Sequence, residues 1–183
     1  SEPTIATFHA FGHRFLKQYV EHTGRTNQFS VLEEKDKPQL IRELFDVSLQ
    51  QAKRYARQFS QIKQGPQGTA SPEKSMPEQA FPTYQRHLEK YDLFDLDDLI
   101  YQTVEVLEKN PAIRREMAAQ YPWMLVDEFQ DINPMQYRLL QLMSPAEKAP
   151  NLFVIGDPNQ AIYGFRGSST KFIPRFLQDH PET

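Results

Sequence analysis

Through most of the chain the apolar residues fall on helical spacings. Phe8, Phe11, Phe15 and Tyr19 recur three and four residues apart, which sets them on one face of a helix, and Thr7 is suited to cap its start. Ile5 to Thr7, just before it, read as the end of a short strand. From Asp36 the run Leu40, Ile41, Leu44, Phe45, Val47, Ala52, Tyr55 and Phe59 predicts one long amphipathic helix, with Pro38 tolerated in its first turn. Pro66, Pro72, Pro77 and Pro82, together with Gly65 and Gly68, end it in a loop or linker. Phe81, Tyr84, Leu88 and Tyr91 predict the next helix. Leu96, Leu99, Ile100, Val104 and Leu107 predict another, stopped by Asn110 and Pro111.

The pattern changes at Trp123. Trp123 to Val126 is a continuous apolar run that fits a buried strand, Pro134 to Met143 has helical spacing, and Leu152 to Ile155 is a second apolar run closed by Gly156 and Asp157. Strand, helix, strand implies a parallel pair joined by a crossover, and in open parallel sheets ligands sit just past the carboxyl ends of the strands. The helical middle interrupts that sheet. The chain therefore reads as an α/β domain in two pieces, residues 1–18 and 121–183, separated by an α-helical insertion at 19–120.

Composition narrows the function. The 183 residues carry 21 Lys and Arg against 24 Asp and Glu, a net charge of −3, so a uniformly basic nucleic-acid coat is excluded and any nucleic-acid contact is local. The acid is concentrated: Glu89 to Asp131 holds 11 carboxylates against Lys90, Lys109, Arg114 and Arg115. With no cysteine there is no disulfide framework, thiolate metal site or Cys nucleophile, which fits a reducing compartment, with the cytosol as default. No apolar run approaches the ~20 residues of a membrane span, and no signal peptide is visible. A start at Ser1 without Met suggests an excised fragment.

Two clusters carry chemistry. Val126 is followed at once by Asp127, Glu128, Phe129, Gln130 and Asp131. Adjacent carboxylates at a strand end repel each other, and a hard cation such as Mg²⁺ removes that penalty when it is held by one or two carboxylates, waters and nucleotide phosphates. The second acid is then available to orient the attacking water, since phosphoryl transfer asks the protein mainly to position and neutralise. The plain alternative is a solvated acidic turn capping the next helix, where an acid is worth ~0.3 to 1 kcal/mol. The second cluster runs from Val154 to Ser168. In extended chain Tyr163 and Phe165 project to one side. Stacked on unpaired bases, each ring contributes ~1 to 3 kcal/mol without sequence preference, and Arg166 can hold a neighbouring phosphate. Alternatively both rings fill the core and Arg166 pairs with a local acid. Gln160 is suited to report a terminal phosphate or to be an ordinary loop hydrogen-bonder.

Together the clusters resemble motifs II and III of the UvrD/Rep-type superfamily 1 helicases, ATP-driven motors that move along single-stranded DNA. Thr7, Phe8, His9, Ala10 and Phe11, with Arg14, are similar to the family's Thr-Phe-His segment. Phe94 to Leu99 resembles an acidic-aromatic stretch before motif II, although locally Asp95 reads as a helix cap and Asp97 and Asp98 as first-turn acids. The resemblance implies a partial P-loop NTPase (RecA-like) parallel sheet interrupted by a mostly α-helical inserted subdomain, with ATP and Mg²⁺ as cofactors. It implies Asp127 as the Mg²⁺-associated acid with Glu128 beside it, Glu128 as the residue activating water, and Gln160, with Asp157, on the nucleotide side. Thr7 and His9 would contact DNA backbone, and Tyr163 and Phe165 would form the base-stacking pair, with Arg166 beside them. Phe165 stands where the family often has Trp. The implied partners are single-stranded DNA and single-strand/duplex junctions, with 3′ to 5′ polarity, in DNA repair or replication, in a bacterial-type cytosol or nucleoid.

No Gly-Lys dipeptide occurs in the chain, so the phosphate loop is expected upstream of Ser1. The second motor domain is expected beyond Thr183, and the arginines such a domain contributes are worth ~10³ to 10⁵ in rate. The fragment alone is expected neither to hydrolyse ATP nor to unwind DNA. A different class remains open: a non-catalytic single-strand-binding module, against which Glu128 stands, because DNA binding alone does not need it. A helical scaffold, in which Tyr163 and Phe165 serve stability only, is a third reading.

Overall fold

Thr7 starts α1 (Phe8–Tyr19) as its neighbours predict: its hydroxyl oxygen accepts from the Ala10 amide at 3.2 Å, satisfying a donor that every helix start leaves open. The computed structural model describes residues 3–65, 76–144, 152–157 and 172–179, and the chain divides into a first unit, Ser1–Val106, and a second, Leu107–Thr183. Gln160, Tyr163, Phe165 and Arg166 lie outside the described residues, as does most of the Pro-rich stretch. Residues 5–7 do not form the expected strand. Extended chain becomes a strand only through a ladder, and the described strands pair with one another and not with this segment, where Ile5 is 91% exposed.

After a short 3-10 turn at Val20–His22, the first unit continues with β1 (Ser30–Leu32), α2 (Lys37–Phe45), α3 (Leu49–Gln64), α4 (Met76–Lys90), β2 (Leu93–Asp95) and the start of α5 (Asp98–Lys109). The single long helix expected from Asp36 to Phe59 is two helices. Asp46 adopts a left-handed conformation (φ 50°) that ends α2, and Ser48 with Gln51 forms a reciprocal capping box that opens α3. The strands β1 and β2, parallel with Ser30 opposite Leu93 and Leu32 opposite Asp95, were not legible, because three residues are too few to display alternation. Ile41, Ala52, Phe59, Tyr84 and Leu88 are buried where α2, α3 and α4 meet, with the Phe59 and Tyr84 rings stacked 4.7 Å apart. α1 packs closely on α5 at Gly12, where a Cβ would fall 2.1 Å from the Leu99 carbonyl oxygen.

Beside this core lies a cluster of buried charges. Lys63 Nζ is 2.7 Å from Asp95 and 2.9 Å from Asp98. Lys37 Nζ is 3.0 Å from Asp95 and 3.1 Å from Asp97, and it donates to the Ser60 hydroxyl at 2.9 Å. Tyr84 O–H donates to Asp95 at 2.8 Å. The Asp98 amide donates to the Asp95 carboxylate at 2.9 Å and the Asp95 amide to the Asp98 carboxylate at 3.1 Å. Asp95 therefore does act as a local cap, as the sequence suggests, but it is fully buried as well. Burial alone would push its carboxyl up. The Lys63 and Lys37 ammonium groups overcome that and hold it well below the usual carboxylate range. Lys37, likewise disfavoured as a cation by burial, is raised above the ordinary lysine value by Asp95, Asp97 and Glu34. Burial and the Asp95 charge push the Tyr84 phenol up. Burial, with Asp95 next to it, raises Asp98 against the pull of Lys63. The Asp95 contribution is therefore present above its unfolded value near 3.8 and is lost as pH falls through its lower folded value.

The second unit continues from α5 with α6 (Pro111–Gln120), β3 (Met124–Val126), a 3-10 turn (Phe129–Asp131), α7 (Pro134–Met143), β4 (Leu152–Val154) and α8 (Phe172–Asp179). Asn110 and Pro111 stop α5 as expected, and Pro111 also opens α6, a position where its missing N–H costs nothing. β3 and β4 are parallel, with Leu125 opposite Phe153 and Val126 opposite Val154, as the strand-helix-strand pattern predicts. Phe129 is fully buried against Phe176 of α8 and Tyr137 of α7, with ring centroids 5.5 Å and 6.1 Å away. The expected burial of the first strand holds on one side only: Val126 is buried, whereas Leu125 is 75% exposed and its register partner Phe153 61%. A strand is buried on both faces only when a layer covers each, and the described residues cover one. Among the described residues the fold is α/β, mostly helical with two short parallel sheets, and no helix is long and apolar enough to cross a membrane.

Removing Lys63 leaves the buried Asp98 without its lysine, so Lys63→Met is expected to cost about 3 to 5 kcal/mol, and Asp98→Asn less, because Lys63 keeps Asp95 at 2.7 Å. The double variant is expected to cost less than their sum by about 0.5 to 3 kcal/mol, measured by urea unfolding. Simple additivity would contradict the pairing.

Candidate functional site

In the second unit the chain turns sharply after β3. Asp127 accepts through one carboxylate oxygen from the Glu128 amide at 2.9 Å. Glu128 sits in the left-handed region, φ 53° and ψ 39°, a conformation that costs a residue with a Cβ about 1 to 2 kcal/mol. The turn is closed by the Asp131 amide donating to the Glu128 carbonyl at 2.9 Å. Phe129 is thereby sent into the core, while Asp127 and Glu128 remain exposed.

The neighbouring strand tip is tied to this one. The Ile155 amide donates to the Val126 carbonyl at 2.8 Å, and the Phe129 amide donates to the Ile155 carbonyl at 2.9 Å, so the ladder runs past the ends of both strands. Gln130, 2% exposed, completes the link: its amide nitrogen donates to the Glu128 carboxylate, and its oxygen accepts from the Asp157 amide at 3.0 Å. Asp127, Glu128 and Asp157 thus come together at adjacent carboxyl ends of a parallel pair, the position where such sheets place ligands. The alternative duty for the acids, capping the following helix, is taken by another residue: Asn133 accepts from the Gln136 amide at 2.9 Å and caps α7.

Asp127 and Glu128 offer hard, exposed oxygen donors. Among the described residues no group of three His, Asp or Glu side chains could hold a metal by itself. Mg²⁺ seldom uses such a cage, being bound by one or two carboxylates plus waters and phosphates, and the pair fits that habit.

In the first unit, Thr7 and His9 stand at the start of α1, beside a shallow cavity of about 480 Å³ lined by Ile5, His9, His13, Arg14 and Leu99. Thr7 is exposed and uses its hydroxyl oxygen as a cap acceptor, which leaves its O–H proton free to donate outward. His9 is half-buried, and desolvation lowers its pKa against the opposing pull of Asp97. At neutral pH it is an uncharged donor and not a cation. On α3, Lys53, Arg54 and Arg57 line a second concave surface with Gln50, Gln58 and Gln61, so positive charge is local on this net-negative chain. Gln160, Tyr163, Phe165 and Arg166 fall outside the described residues. The residue that sequence reasoning passed over is Gln130, whose position beside two acids was visible but whose partner on the other strand tip was not.

A family model described as the UvrD/REP helicase N-terminal domain matches residues 1–181. The chain is 30% identical over 190 residues to an ATP-dependent DNA helicase PcrA of Staphylococcus aureus (strain Mu50 / ATCC 700699), an alignment covering 97% of this chain and 26% of that protein. It is also 30% identical over 190 residues to a probable DNA helicase II homolog of Rickettsia felis, covering 96% and 29% respectively. It thus spans between a quarter and a third of the length of these relatives.

A histidine whose folded pKa lies below its ordinary value of 6.5 opposes protonation, so the native state binds fewer protons than the unfolded chain as pH falls below that value. Wild type is therefore expected to lose more stability than His9→Asn between about pH 7.5 and about pH 5.5, read from urea midpoints. Equal losses in the two proteins would show that His9 is not held neutral.

Proposed function

Because the chain belongs to the UvrD/REP helicase N-terminal domain family, we propose that it is part of the first motor domain of an ATP-dependent DNA helicase. In this reading residues 1–18 and 121–183 belong to a partial P-loop NTPase (RecA-like) sheet, and residues 19–120 form its helical insertion. The whole protein would couple ATP hydrolysis to 3′ to 5′ movement on single-stranded DNA and to unwinding at junctions, in DNA repair or replication in a bacterial-type cytoplasm. The observation supporting it is the convergence of Asp127, Glu128 and Asp157 on two adjoining strand tips.

Asp127 would hold Mg²⁺ together with the nucleotide phosphates. When bound, the cation neutralises charge on those phosphates. Glu128 would accept the proton of the attacking water. Gln160, with Asp157, would lie on the nucleotide side and report the terminal phosphate. Thr7 and His9 would hold DNA backbone, each as a neutral donor. Tyr163 and Phe165 would stack on bases, with Arg166 on an adjacent phosphate.

Phosphate release should be measured on the complete gene product, with and without single-stranded DNA. Hydrolysis is expected to be DNA-stimulated, and Glu128→Gln is expected to lower kcat by about 10² to 10⁴ while ATP still binds. The 183-residue chain alone, which has no Gly-Lys phosphate loop, is expected to release no phosphate. DNA binding by the complete product without any hydrolysis would favour the non-catalytic binding module instead.

Single-strand affinity is expected to fall with salt at a log–log slope of about −0.7 per phosphate contacted, and Arg166→Ala to reduce the slope by roughly one contact. An unchanged slope would remove Arg166 from the interface.

A further inference from the structure

Gln130 is buried, yet both ends of its side-chain amide are committed to polar partners on different strand tips. Its nitrogen donates to the Glu128 carboxylate beyond β3. Its oxygen accepts from the Asp157 amide beyond β4, at 3.0 Å. The fit around that oxygen is tight: a Cβ at position 156 would lie 2.7 Å from it and 3.2 Å from the Gln130 backbone nitrogen, so a side chain there would crowd the bridge. The backbone beneath is fixed by the ladder bonds from Ile155 to Val126 and from Phe129 to Ile155. One side-chain amide therefore joins the Glu128 carboxylate to the backbone at Asp157.

We propose that Gln130 is a positioning residue that orients Glu128 and relays its state to the backbone at Asp157, just past β4. The proposal rests on the reading of Glu128 given above, and it deepens that reading by naming the residue through which the hydrolytic acid is coupled to the neighbouring tip. A side chain that merely filled space would need neither the donor nor the acceptor. Gln is the suited residue here because it supplies both at once: an ionised Glu cannot donate, and a Met of similar length does neither.

Two measurements test this. In the ¹⁵N-labelled 183-residue chain, Glu128→Gln is expected to shift the Asp157 backbone amide resonance. The same substitution is expected to leave that resonance unmoved in a Gln130→Met background. Gly156→Ala, which keeps Gln130 but crowds its oxygen, is expected to abolish the response as well, and so decides the matter if Gln130→Met fails to fold. In the complete gene product, Gln130→Met is expected to lower DNA-stimulated kcat by about 10- to 100-fold, the worth of one hydrogen bond to a charged group, with KM for ATP changed less than about twofold. An Asp157 resonance that still responds to Glu128→Gln in both backgrounds overturns the proposal. A complete wild-type protein with no DNA-stimulated hydrolysis overturns the reading of Glu128 instead, and the resonance experiment then still decides whether Gln130 links the two tips.

Discussion

The first unit depends on two ammonium groups and three carboxylates taken out of water together. Lys37 comes from α2, Lys63 from α3, Asp95 from the end of β2, Asp97 from the residue before α5 and Asp98 from its first turn, and Tyr84 of α4 donates to Asp95. Five elements therefore meet at one carboxylate and its neighbours. Desolvating such groups is costly, and the cost is recovered only in close, well-partnered geometry. An apolar core of Ile41, Phe59, Tyr84 and Leu88 would tolerate some sliding of helix on helix. A buried ammonium displaced from its carboxylates would not, which makes the charges the feature that fixes how α2 and α3 sit on β2.

The second unit relies on a different device. There the constraint is backbone: two three-residue strands whose ladder continues past both ends and a left-handed Glu128 that turns the chain at the tip. The conformational cost at Glu128 is offset by Phe129 going fully into the apolar contact with Phe176 and Tyr137, and by the bonds that Gln130 makes. Rigidity is thus concentrated where the exposed acids stand.

What the sequence made legible follows from range. The Thr7 cap, the α7 bounds and the acids beyond β3 are set by residues within a few positions of one another, and all appear as expected. The break between α2 and α3 was equally local, in Ser48 and Gln51, but the apolar periodicity ran through it and hid it. The strands β1 and β2 and the burial of Asp95 depend on partners far away in the chain: Leu93 for Ser30, and Lys37 and Lys63 for Asp95. Asp95 was readable as a cap because Asp98 is three residues on, and unreadable as a buried ion because no local rule links it to two lysines on earlier helices. The exposed face of Leu125 and Phe153 escaped for the same reason, since a continuous apolar run reports what a strand can bury and not what covers it.

Two groups of acids follow short parallel strands in this chain, and sequence treats them alike. Asp95, Asp97 and Asp98 stand at the end of β2, and Asp127 and Glu128 at the end of β3. The first group is answered inside the protein: Lys37 and Lys63 between them pair with all three carboxylates, and its members are buried or nearly so. The second group is exposed, and among the described residues no ion pair reaches either carboxylate. Burial with counter-charges turns one acidic strand tip into a structural joint. Exposure without them leaves the other open to solvent at the carboxyl ends of a parallel pair, and under the proposed function a cation shared with a polyphosphate would neutralise it.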